Sequence, residues 1–326
     1  MIRAGVAGAG HLGKIHLKLL KQSSQYDLVG FYDIDIDNGK KIEKELGYKF
    51  FENLDDLLDA IDMLDIVSPT LSHHSLALAA IEKDKHIFIE KPITHTLEEA
   101  KEIKDALQVK GLKGQVGHVE RFNPVFLAVE ETINEPLFIE THRLAEFNPR
   151  GTDVPVVLDL MIHDLDIILS IVQSSVKEIR SSGVCIISDT PDIANARIVF
   201  ENGCVANVTT SRISMKNMRK TRIFQKDAYI SVDFLEKKAE VIRMEDAVDA
   251  ELDDYAMILE NAEKKKKKIS FEYPTIEPNN AILDELDAFA DSINHNADVR
   301  VSVDDGMQAL KLALDIIDNF AAIQIQ

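Results

Sequence analysis

The sequence has few cysteines, far fewer basic than acidic residues, and no long apolar run. Cys185 and Cys204 form neither a C-x-x-C pair nor a spacing typical of metal ligands, and this scarcity favours a reducing cytoplasm. The formal net charge of −19 argues against broad nucleic-acid binding, which needs a basic face. No apolar stretch approaches the roughly 18 residues that span a membrane. We therefore expect a cytoplasmic protein that binds neither nucleic acid nor membrane.

What the chain does contain is enough apolar sequence, 45% of 326 residues, for one large domain or two ordinary ones. Up to residue 120, short and almost continuously apolar segments alternate with helical patterns, as where Ile2 to Ala7 precedes a helical pattern from His11. This alternation predicts a parallel, doubly wound sheet that is covered on both faces. We assign residues 1–120 to an N-terminal dinucleotide-binding domain.

The pattern changes after residue 121, and residues 121–326 form a predicted second domain for substrate binding and oligomerisation. A helix is predicted from Val154 to about Val172. Successive strands without intervening helices then predict a mostly antiparallel sheet with helices on one face. The clearest strand patterns are 192–200, 204–213 and 221–234, with a hairpin turn at Glu201-Asn202-Gly203 and closing helices at about 279–293 and 303–322.

The turn after the first predicted strand carries the segment Gly8-Ala9-Gly10-His11-Leu12-Gly13, which matches G-x-G-x-x-G. It follows a strand and opens a helix, which is the context that dinucleotide binding requires. The first glycine allows a tight turn, the second lets a pyrophosphate approach the backbone, and the third lets helix and strand pack closely. The helix N-terminus adds N–H donors and a partial positive charge. An ordinary glycine turn is the alternative.

Asp33 ends the second predicted strand, and its carboxylate can accept hydrogen bonds from both ribose hydroxyls of a dinucleotide. The same carboxylate repels a 2′-phosphate, and no arginine follows it to bind one. The sequence therefore favours NAD over NADP. Ser68, Pro69 and Thr70 end the fourth predicted strand and are expected to cross the nicotinamide side, with His73 close by. Ser72 is predicted to be the N-cap of the next helix.

Glu90-Lys91-Pro92 follows the apolar run at 86–89. A lysine at the C-terminal end of a buried strand, fixed by a following proline, faces the crevice where a doubly wound sheet binds its ligand. We place Glu90 and Lys91 beside the cofactor. Lys91 also suits a substrate contact, because its ammonium can stabilise charge that develops on a reacting oxygen.

Asp159 and His163 are four residues apart on the helix after Pro155, so they are expected on one face. A carboxylate one turn before an imidazole orients it and raises its basicity. His163 is therefore a candidate base for a substrate hydroxyl whose carbon loses a hydride. We expect Lys91 and His163 to flank that carbon. The alternative is a buried histidine whose ring is satisfied by Asp159 or Asp166.

Gly8–Gly13, Glu90–Pro92 and Asp159–His163 together resemble the GFO/IDH/MocA oxidoreductase family, over nearly the whole chain. The resemblance implies a Rossmann domain followed by an α/β domain with a large, mostly antiparallel open sheet. It also implies a homodimer or homotetramer packed through that sheet, and oxidation or reduction of sugars and related polyols. By the same resemblance, Lys91 and His163 handle the proton and Asp159 is their partner.

Three segments, 117–124, 148–151 and 158–164, are more narrowly similar to the UDP-N-acetylglucosamine 3-dehydrogenases of lipid A biosynthesis. This similarity suggests NAD-dependent oxidation of the sugar 3-hydroxyl to a ketone, ready for a later aminotransferase. A nucleotide-sugar needs cations for its pyrophosphate, and arginine offers a planar fork to phosphate oxygens. The candidates are Arg121 with the neighbouring Asn123, Arg143, Arg150 and Arg212. For each arginine the alternative is a surface or ion-pair role.

Two other functions remain open on the sequence alone. A dehydrogenase of a free sugar or of inositol would use the same Lys91 and His163. A catalytically silent NAD-binding sensor would keep the glycine motif, and it is disfavoured because both of those residues are present. We assign no metal, since the histidines show no metal-ligand spacing. The lysine run at 264–268 is predicted to lie in a solvated loop or strand end.

Overall fold

The computed structural model describes residues 1–148, 154–247, 257–260 and 262–320. The strands in these ranges are β1 (Ile2–Ala7), β2 (Tyr26–Tyr32), β3 (Phe50–Phe51), β4 (Met63–Ile66), β5 (His86–Glu90), β6 (Gly114–Gly117), β7 (Phe138–Leu144), β8 (Val176–Val184), β9 (Ile193–Phe200), β10 (Val205–Ser211), β11 (Met218–Phe224), β12 (Ala228–Asp233), β13 (Lys238–Asp246), β14 (Met257–Glu260) and β15 (Lys266–Glu272). The helices are α1 (His11–Gln22), α2 (Ile36–Leu46), α3 (Leu54–Ala60), α4 (His73–Glu82), α5 (Leu97–Lys110), α6 (Pro124–Val129), α7 (Ile162–Ile171), α8 (Ala281–Asn294) and α9 (Val303–Asp318). None of the described helices is both long enough and apolar enough to cross a membrane.

The chain divides into two compact units. The first unit contains Met1–Phe122 and Asn280–Lys311, and the second contains Asn123–Asn279 and the residues from Leu312 onward. The first break lies close to the boundary predicted near residue 120. The sequence had placed everything after that boundary in the second domain, whereas α8 joins the first unit. An amphipathic pattern shows that a helix covers a core, but it does not show which core.

Among the described residues, six strands of the first unit form a parallel sheet in the order β3-β2-β1-β4-β5-β6. The direction of strand addition reverses between β1 and β4. A doubly wound sheet opens a crevice at such a point, outside the carboxyl ends of the two strands. The predicted parallel sheet is confirmed, and Gly8 and Ser68, which follow β1 and β4, belong to this crevice.

The core of the first unit explains why its strands are so apolar. Helices cover both faces of the sheet, so β4 and β6 are buried along their whole length. α8 adds Leu286 and Phe289 to the core beside Leu17 and Phe88, and the Phe88 and Phe289 ring centroids are 6.2 Å apart. Burial of each such side chain stabilises the unit by roughly 1.5–3 kcal/mol. This core holds the strand ends, and thus the crevice, in place.

Among the described residues of the second unit, nine strands form a sheet in the order β14-β15-β13-β12-β11-β7-β10-β9-β8. All neighbours are antiparallel except β7 and β10, which run parallel. Residues alternate along the strands, so that Ile139 and Ile230 point into a core with Leu165 of α7. The prediction of a large, mostly antiparallel sheet is therefore confirmed.

One predicted turn and one predicted strand had different outcomes. The turn at 201–203 is confirmed, with Gly203 at a φ of +89° and its N–H donating to the Phe200 carbonyl. The prediction of one continuous strand over 221–234 was wrong, because these residues belong to the two strands of a hairpin, β11 and β12. Gln225 closes that hairpin: its N–H donates to the Ala228 carbonyl, and its side-chain amide donates to Asp227. The local turn was hidden by apolar and β-branched residues on both sides.

Candidate functional site

The turn between β1 and α1 depends on two of its three motif glycines, Gly8 and Gly13. Gly8 has a φ of +98°, and a Cβ there would lie 2.7 Å from main-chain atoms of Ser68. A Cβ on Gly13 would collide with the Gly8 carbonyl oxygen, so only glycine lets α1 start this close to β1. A Cβ on Gly10 would instead project into open space. The backbone at Gly10 is therefore accessible to a ligand that approaches closely.

The start of α1 suits an anion. Among the described residues no side chain caps the helix at Gly10, and its first turn contains no acidic residue. The first N–H groups of α1 keep their capacity to donate, and the helix dipole adds a partial positive charge. Both features fit the diphosphate of a dinucleotide.

Asp33 follows β2 directly, and the glycine turn holds its carboxylate. Oδ2 accepts the N–H of Ala9 at 2.8 Å, and Oδ1 accepts the N–H of Asp35 at 2.9 Å. Each oxygen keeps further acceptor capacity. The side chain is thus oriented without being saturated, as a ligand for the two ribose hydroxyls should be.

These features surround one cleft of the first unit, with a volume of about 770 Å³. This volume lies within the usual range for small-molecule sites. Ala9 and Gly13 are buried and shape the turn, while Thr70 begins the short helical turn before α4. The residues predicted to bind the cofactor that line the cleft are Gly8, Gly10, His11, Leu12, Asp33, Ser68 and Pro69. The open backbone at Gly10 and the oriented carboxylate of Asp33 fit a dinucleotide.

His73, which the sequence predicted beside the cofactor, is bound to main-chain carbonyls of two loops. It is buried, its Nε2 lies 2.8 Å from the Ser68 carbonyl, and its Nδ1 lies 3.1 Å from the Pro92 carbonyl. Burial lowers the pKa of His73, although the surrounding carbonyls oppose that effect. The ring therefore ties the loop after β4 to the loop after β5. Ser72 is not the predicted side-chain cap, because its hydroxyl donates back to Ser68 and Pro69.

Lys91 lies at the end of β5, where the sequence placed it, and is partly buried. Its main-chain N–H donates to Oε2 of Glu90 at 3.2 Å. Burial favours a raised pKa for Glu90, but His16 and Lys91 outweigh it and the pKa of Glu90 is lowered. Glu90 is therefore an ionised carboxylate beside the candidate catalytic lysine.

In the second unit, Asp159 and His163 lie where a single π-helical turn, Val157–Met161, leads into α7. The sequence predicted a continuous α-helix here. π-helical turns occur frequently at functional sites, since they re-aim side chains that an α-helix would place elsewhere. Asp159 and His163 are both partly exposed, whereas Asp164 and Asp166 are buried. The accessible pair is the one that the sequence singled out.

Arg143, a predicted pyrophosphate ligand, has an ion-pair partner within the protein, which is the alternative role that the sequence left open. Its Nε and Nη2 donate to the two carboxylate oxygens of Asp164, each at 2.9 Å, and both side chains are buried. Such a bidentate pair fixes both partners in one orientation. It anchors α7 to β7 immediately beside His163.

The other predicted pyrophosphate ligands also have protein partners. Arg212 is buried, and its Nη2 donates to the Val154 carbonyl, ahead of the π-helical turn. Asn123 caps α6 by accepting the Val125 N–H at 3.2 Å, and its amide group donates to the Phe234 carbonyl.

Arg121 is largely buried, with Nη2 3.9 Å from Asp305. Arg150 lies outside the described residues. Three of the four arginines that the sequence proposed for a pyrophosphate, Arg121, Arg143 and Arg212, thus already contact protein groups.

Sequence reasoning missed a buried cluster beneath Lys91. His16 of α1 lies between Asp65 of β4 and Glu90, and two of these three side chains have no exposed surface. The available signal was Asp65 itself, because a carboxylate inside a fully buried strand needs a partner.

Comparison with known proteins gives three findings. Residues 2–118 match the GFO/IDH/MocA family model, described as an oxidoreductase family with an NAD-binding Rossmann fold. A UDP-N-acetylglucosamine 3-dehydrogenase from Acidithiobacillus ferrooxidans is 37% identical over 235 residues, which cover 72% of this chain and 74% of that protein. A scyllo-inositol 2-dehydrogenase (NAD⁺) from Bacillus subtilis is 29% identical over 234 residues, covering 65% of this chain and 68% of that protein.

The similarity extends to three dimensions. A solved structure of the UDP-N-acetylglucosamine 3-dehydrogenase from A. ferrooxidans superimposes with a TM-score of 0.87 and 30% sequence identity. The alignment covers 98% of this chain and 97% of that one. The likeness therefore includes both units and the order of their elements.

Proposed function

Because the chain belongs to the GFO/IDH/MocA family of NAD-binding oxidoreductases, we propose that it oxidises the 3-hydroxyl of UDP-N-acetylglucosamine to a ketone. The observation that carries this proposal is the similarity to a 3-dehydrogenase of that nucleotide-sugar over nearly the full chain. The sequence also contains the residues that such chemistry needs, Lys91, Asp159 and His163.

The proposed reaction transfers one proton and one hydride from the substrate. NAD, when bound, supplies the hydride acceptor. His163 takes the proton of the substrate hydroxyl, the C3–H electron pair leaves as hydride, and the C–O bond becomes a carbonyl. Asp159, one turn earlier, supports the imidazolium that results. Lys91 donates to the substrate oxygen and stabilises the charge that develops there.

Asp33 supports the choice of NAD over NADP in this proposal. Its two oxygens are oriented by main-chain N–H groups and can still accept hydrogen bonds from a diol. A 2′-phosphate would bring two like charges together at this place, at a cost that grows as water is excluded.

A dehydrogenase of a free sugar or inositol is the alternative within enzymes. The similarity to a scyllo-inositol 2-dehydrogenase favours it, as do the protein partners of Arg121, Arg143 and Arg212. A silent NAD-binding sensor is the alternative outside enzymes. The retained Lys91 and His163 count against it.

The test is NADH formation, followed by its near-ultraviolet absorbance, with NAD and equal concentrations of UDP-N-acetylglucosamine, N-acetylglucosamine and scyllo-inositol. We expect turnover with the nucleotide-sugar. We also expect UDP alone to raise the melting temperature, since a ligand that binds the native state stabilises it. Turnover confined to the free sugar or inositol, without a shift from UDP, would support the enzymatic alternative. Binding of NAD without NADH from any of the three would support the sensor.

A further inference from the structure

Asp65 is a charged residue in a strand that is otherwise apolar. All four residues of β4 are buried, and a carboxylate there is costly unless it is paired. Its partner is His16 on α1, whose Nδ1 lies 2.9 Å from Oδ2 of Asp65. Neither side chain has any exposed surface.

The other nitrogen of the His16 ring faces Glu90. Nε2 of His16 lies 3.4 Å from Oε1 of Glu90, an ion-pair separation rather than a short hydrogen bond. The second carboxylate oxygen of Glu90 accepts the main-chain N–H of Lys91. A continuous chain of contacts thus runs from the middle of the sheet to the candidate catalytic lysine.

The charges along this chain alternate. Burial alone would lower the pKa of His16, but Asp65 and then Glu90 outweigh it and hold the pKa of His16 well above its ordinary value. Burial raises the pKa of Asp65, and His16 opposes that rise. The formal charges of the two carboxylates (Asp65 and Glu90), the His16 imidazolium and the Lys91 ammonium sum to zero.

Tyr26 on β2 is a further titratable group that is affected by the charge of Asp65. Burial, and then the charges of Asp65 and Asp287, raise the pKa of its hydroxyl, so it stays neutral. Its hydroxyl donates to the Leu286 carbonyl instead of to the chain. Tyr26 therefore adds no charge to those of Asp65, His16, Glu90 and Lys91.

Gly117 on β6 leaves the space that Glu90 occupies. Glu90 and Gly117 are paired across β5 and β6, and a Cβ on Gly117 would lie 2.8 Å from Oε1 of Glu90. Its backbone is not left-handed, so an added methyl group would displace the carboxylate without straining the main chain. The carboxylate is thus held by His16 on one side and by the shape of β6 on the other.

We propose that Asp65, His16 and Glu90 form a buried ion chain that positions Lys91, and that His16 is a positioning residue for the reaction. The inference rests on the proposed function of Lys91. His16 is held between the carboxylates of Asp65 in β4 and Glu90 at the end of β5. We infer that this contact fixes the position of the end of β5, and therefore of Lys91. Small displacements of a catalytic group are costly, because the reacting geometry is narrow.

The kinetic test uses Gly117→Ala, with Gly114→Ala on the same strand as the matched control. A Cβ at Gly114 would press on Leu107 and Val303, away from Glu90. We expect Gly117→Ala to lower kcat about 10-fold to 10²-fold while KM for NAD stays close to that of the wild type. The control is expected to keep kcat. Equal kcat values in both variants would contradict the proposal.

A second measurement needs no substrate. Lys91 is acylated with acetic anhydride, and the extent is read by peptide mass spectrometry, with the exposed Lys101 as internal standard. We expect the relative rate at Lys91 to change several-fold in Gly117→Ala and in His16→Gln, but not in Gly114→Ala. An unchanged rate at Lys91 in both test variants would overturn the positioning role. A changed rate in a protein without sugar oxidation would support the ion chain and refute the proposed function instead.

His16→Gln is paired with Tyr26→Phe, which also removes a buried polar contact of the first unit. A purely structural His16 would behave like Tyr26, with a lower melting temperature and unchanged acylation of Lys91. If His16→Gln does not fold, Gly117→Ala still decides the question, because it keeps every group of the chain.

Discussion

At the scale of single residues, Asp33 links the shape of the glycine turn to the choice of cofactor. Its carboxylate accepts the Ala9 N–H, so the residue that we propose as the ribose ligand also holds the glycine turn. Both roles, accepting the Ala9 N–H and binding the ribose hydroxyls, need a short side chain with free acceptor oxygens at the end of β2, and an aspartate provides one.

We predict that Asp33→Ala shifts the ratio of kcat/KM for NAD over NADP toward NADP by about tenfold, since the repulsion of a 2′-phosphate disappears. Steady-state rates with the two cofactors measure the ratio. Asp37→Ala, in the first turn of α2, is the control and is expected to leave the ratio unchanged. An unaltered ratio in Asp33→Ala would count against the assignment.

In the proposed reaction, turnover depends on Lys91 and His163. We predict that Lys91→Ala and His163→Ala each lower kcat by about 10²-fold or more, the range expected for a lost acid–base group. Affinity for NAD, measured by fluorescence titration, is expected to remain. His74→Ala is the control for His163→Ala, because His74 pairs with Glu102 on the surface. Full activity in His163→Ala would refute its role as base.

At the scale of elements, Asp192 shows how one carboxylate organises a loop. Its Oδ2 accepts the N–H groups of Ile186, Ile187 and Ser188 at 2.7–3.0 Å. Burial by itself would raise the pKa of Asp192, but these hydrogen bonds outweigh it and lower the pKa from 3.8 to about 2. The ionised carboxylate therefore stabilises the connection between β8 and β9.

The lowered pKa of Asp192 predicts acid sensitivity. Because the folded-state pKa lies below the unfolded one, the contribution is complete above about pH 4 and is lost as the pH falls toward about 2. It amounts to roughly 2 kcal/mol of unfolding free energy. Asp192→Asn should lower the free energy of unfolding at neutral pH and flatten its decline in that window. Urea titrations at several pH values measure this, and a variant with the same acid profile as the wild type would contradict it.

The same elements show what the sequence could and could not predict. The glycine turn, Asp33 and Lys91 follow from local patterns at strand ends, and the structure has them there. β7 was not predicted, because Arg143 occupies an inward position that an apolar residue usually fills. Its partner Asp164 lies 21 residues away, so no local pattern explains the arginine. The His16–Asp65 pair was missed for the same reason, across 49 residues.

At the scale of the whole molecule, the second sheet carries aromatic side chains on the face that is turned away from its core. Phe138, Phe224 and Tyr229 form an aromatic cluster there. The ring centroids of Phe138 and Phe224 are 5.8 Å apart, and those of Phe224 and Tyr229 are 4.9 Å apart. They alternate with core residues such as Ile139 and Ile223, so they point away from the core. We propose that this face joins two copies of the chain. Aromatic side chains are enriched at such interfaces.

This proposal predicts a wild-type dimer or tetramer in light scattering after size-exclusion chromatography. Phe224→Lys should yield smaller species, because a charge at the centre of an apolar contact is costly. Val109→Lys, at an exposed apolar position of α5, is the control and should not change the mass. A monomeric wild type, or a Phe224→Lys variant of unchanged mass, would rule out this interface.

The most direct test of the central claim is hydride transfer from UDP-N-acetylglucosamine that carries deuterium at C3. The protein is incubated with NAD and this substrate, and the NADH formed is examined by mass spectrometry. We expect deuterium in the reduced nicotinamide and a slower rate than with the unlabelled sugar if C–H cleavage limits turnover. NADH without deuterium, or no NADH at all, would contradict oxidation at C3.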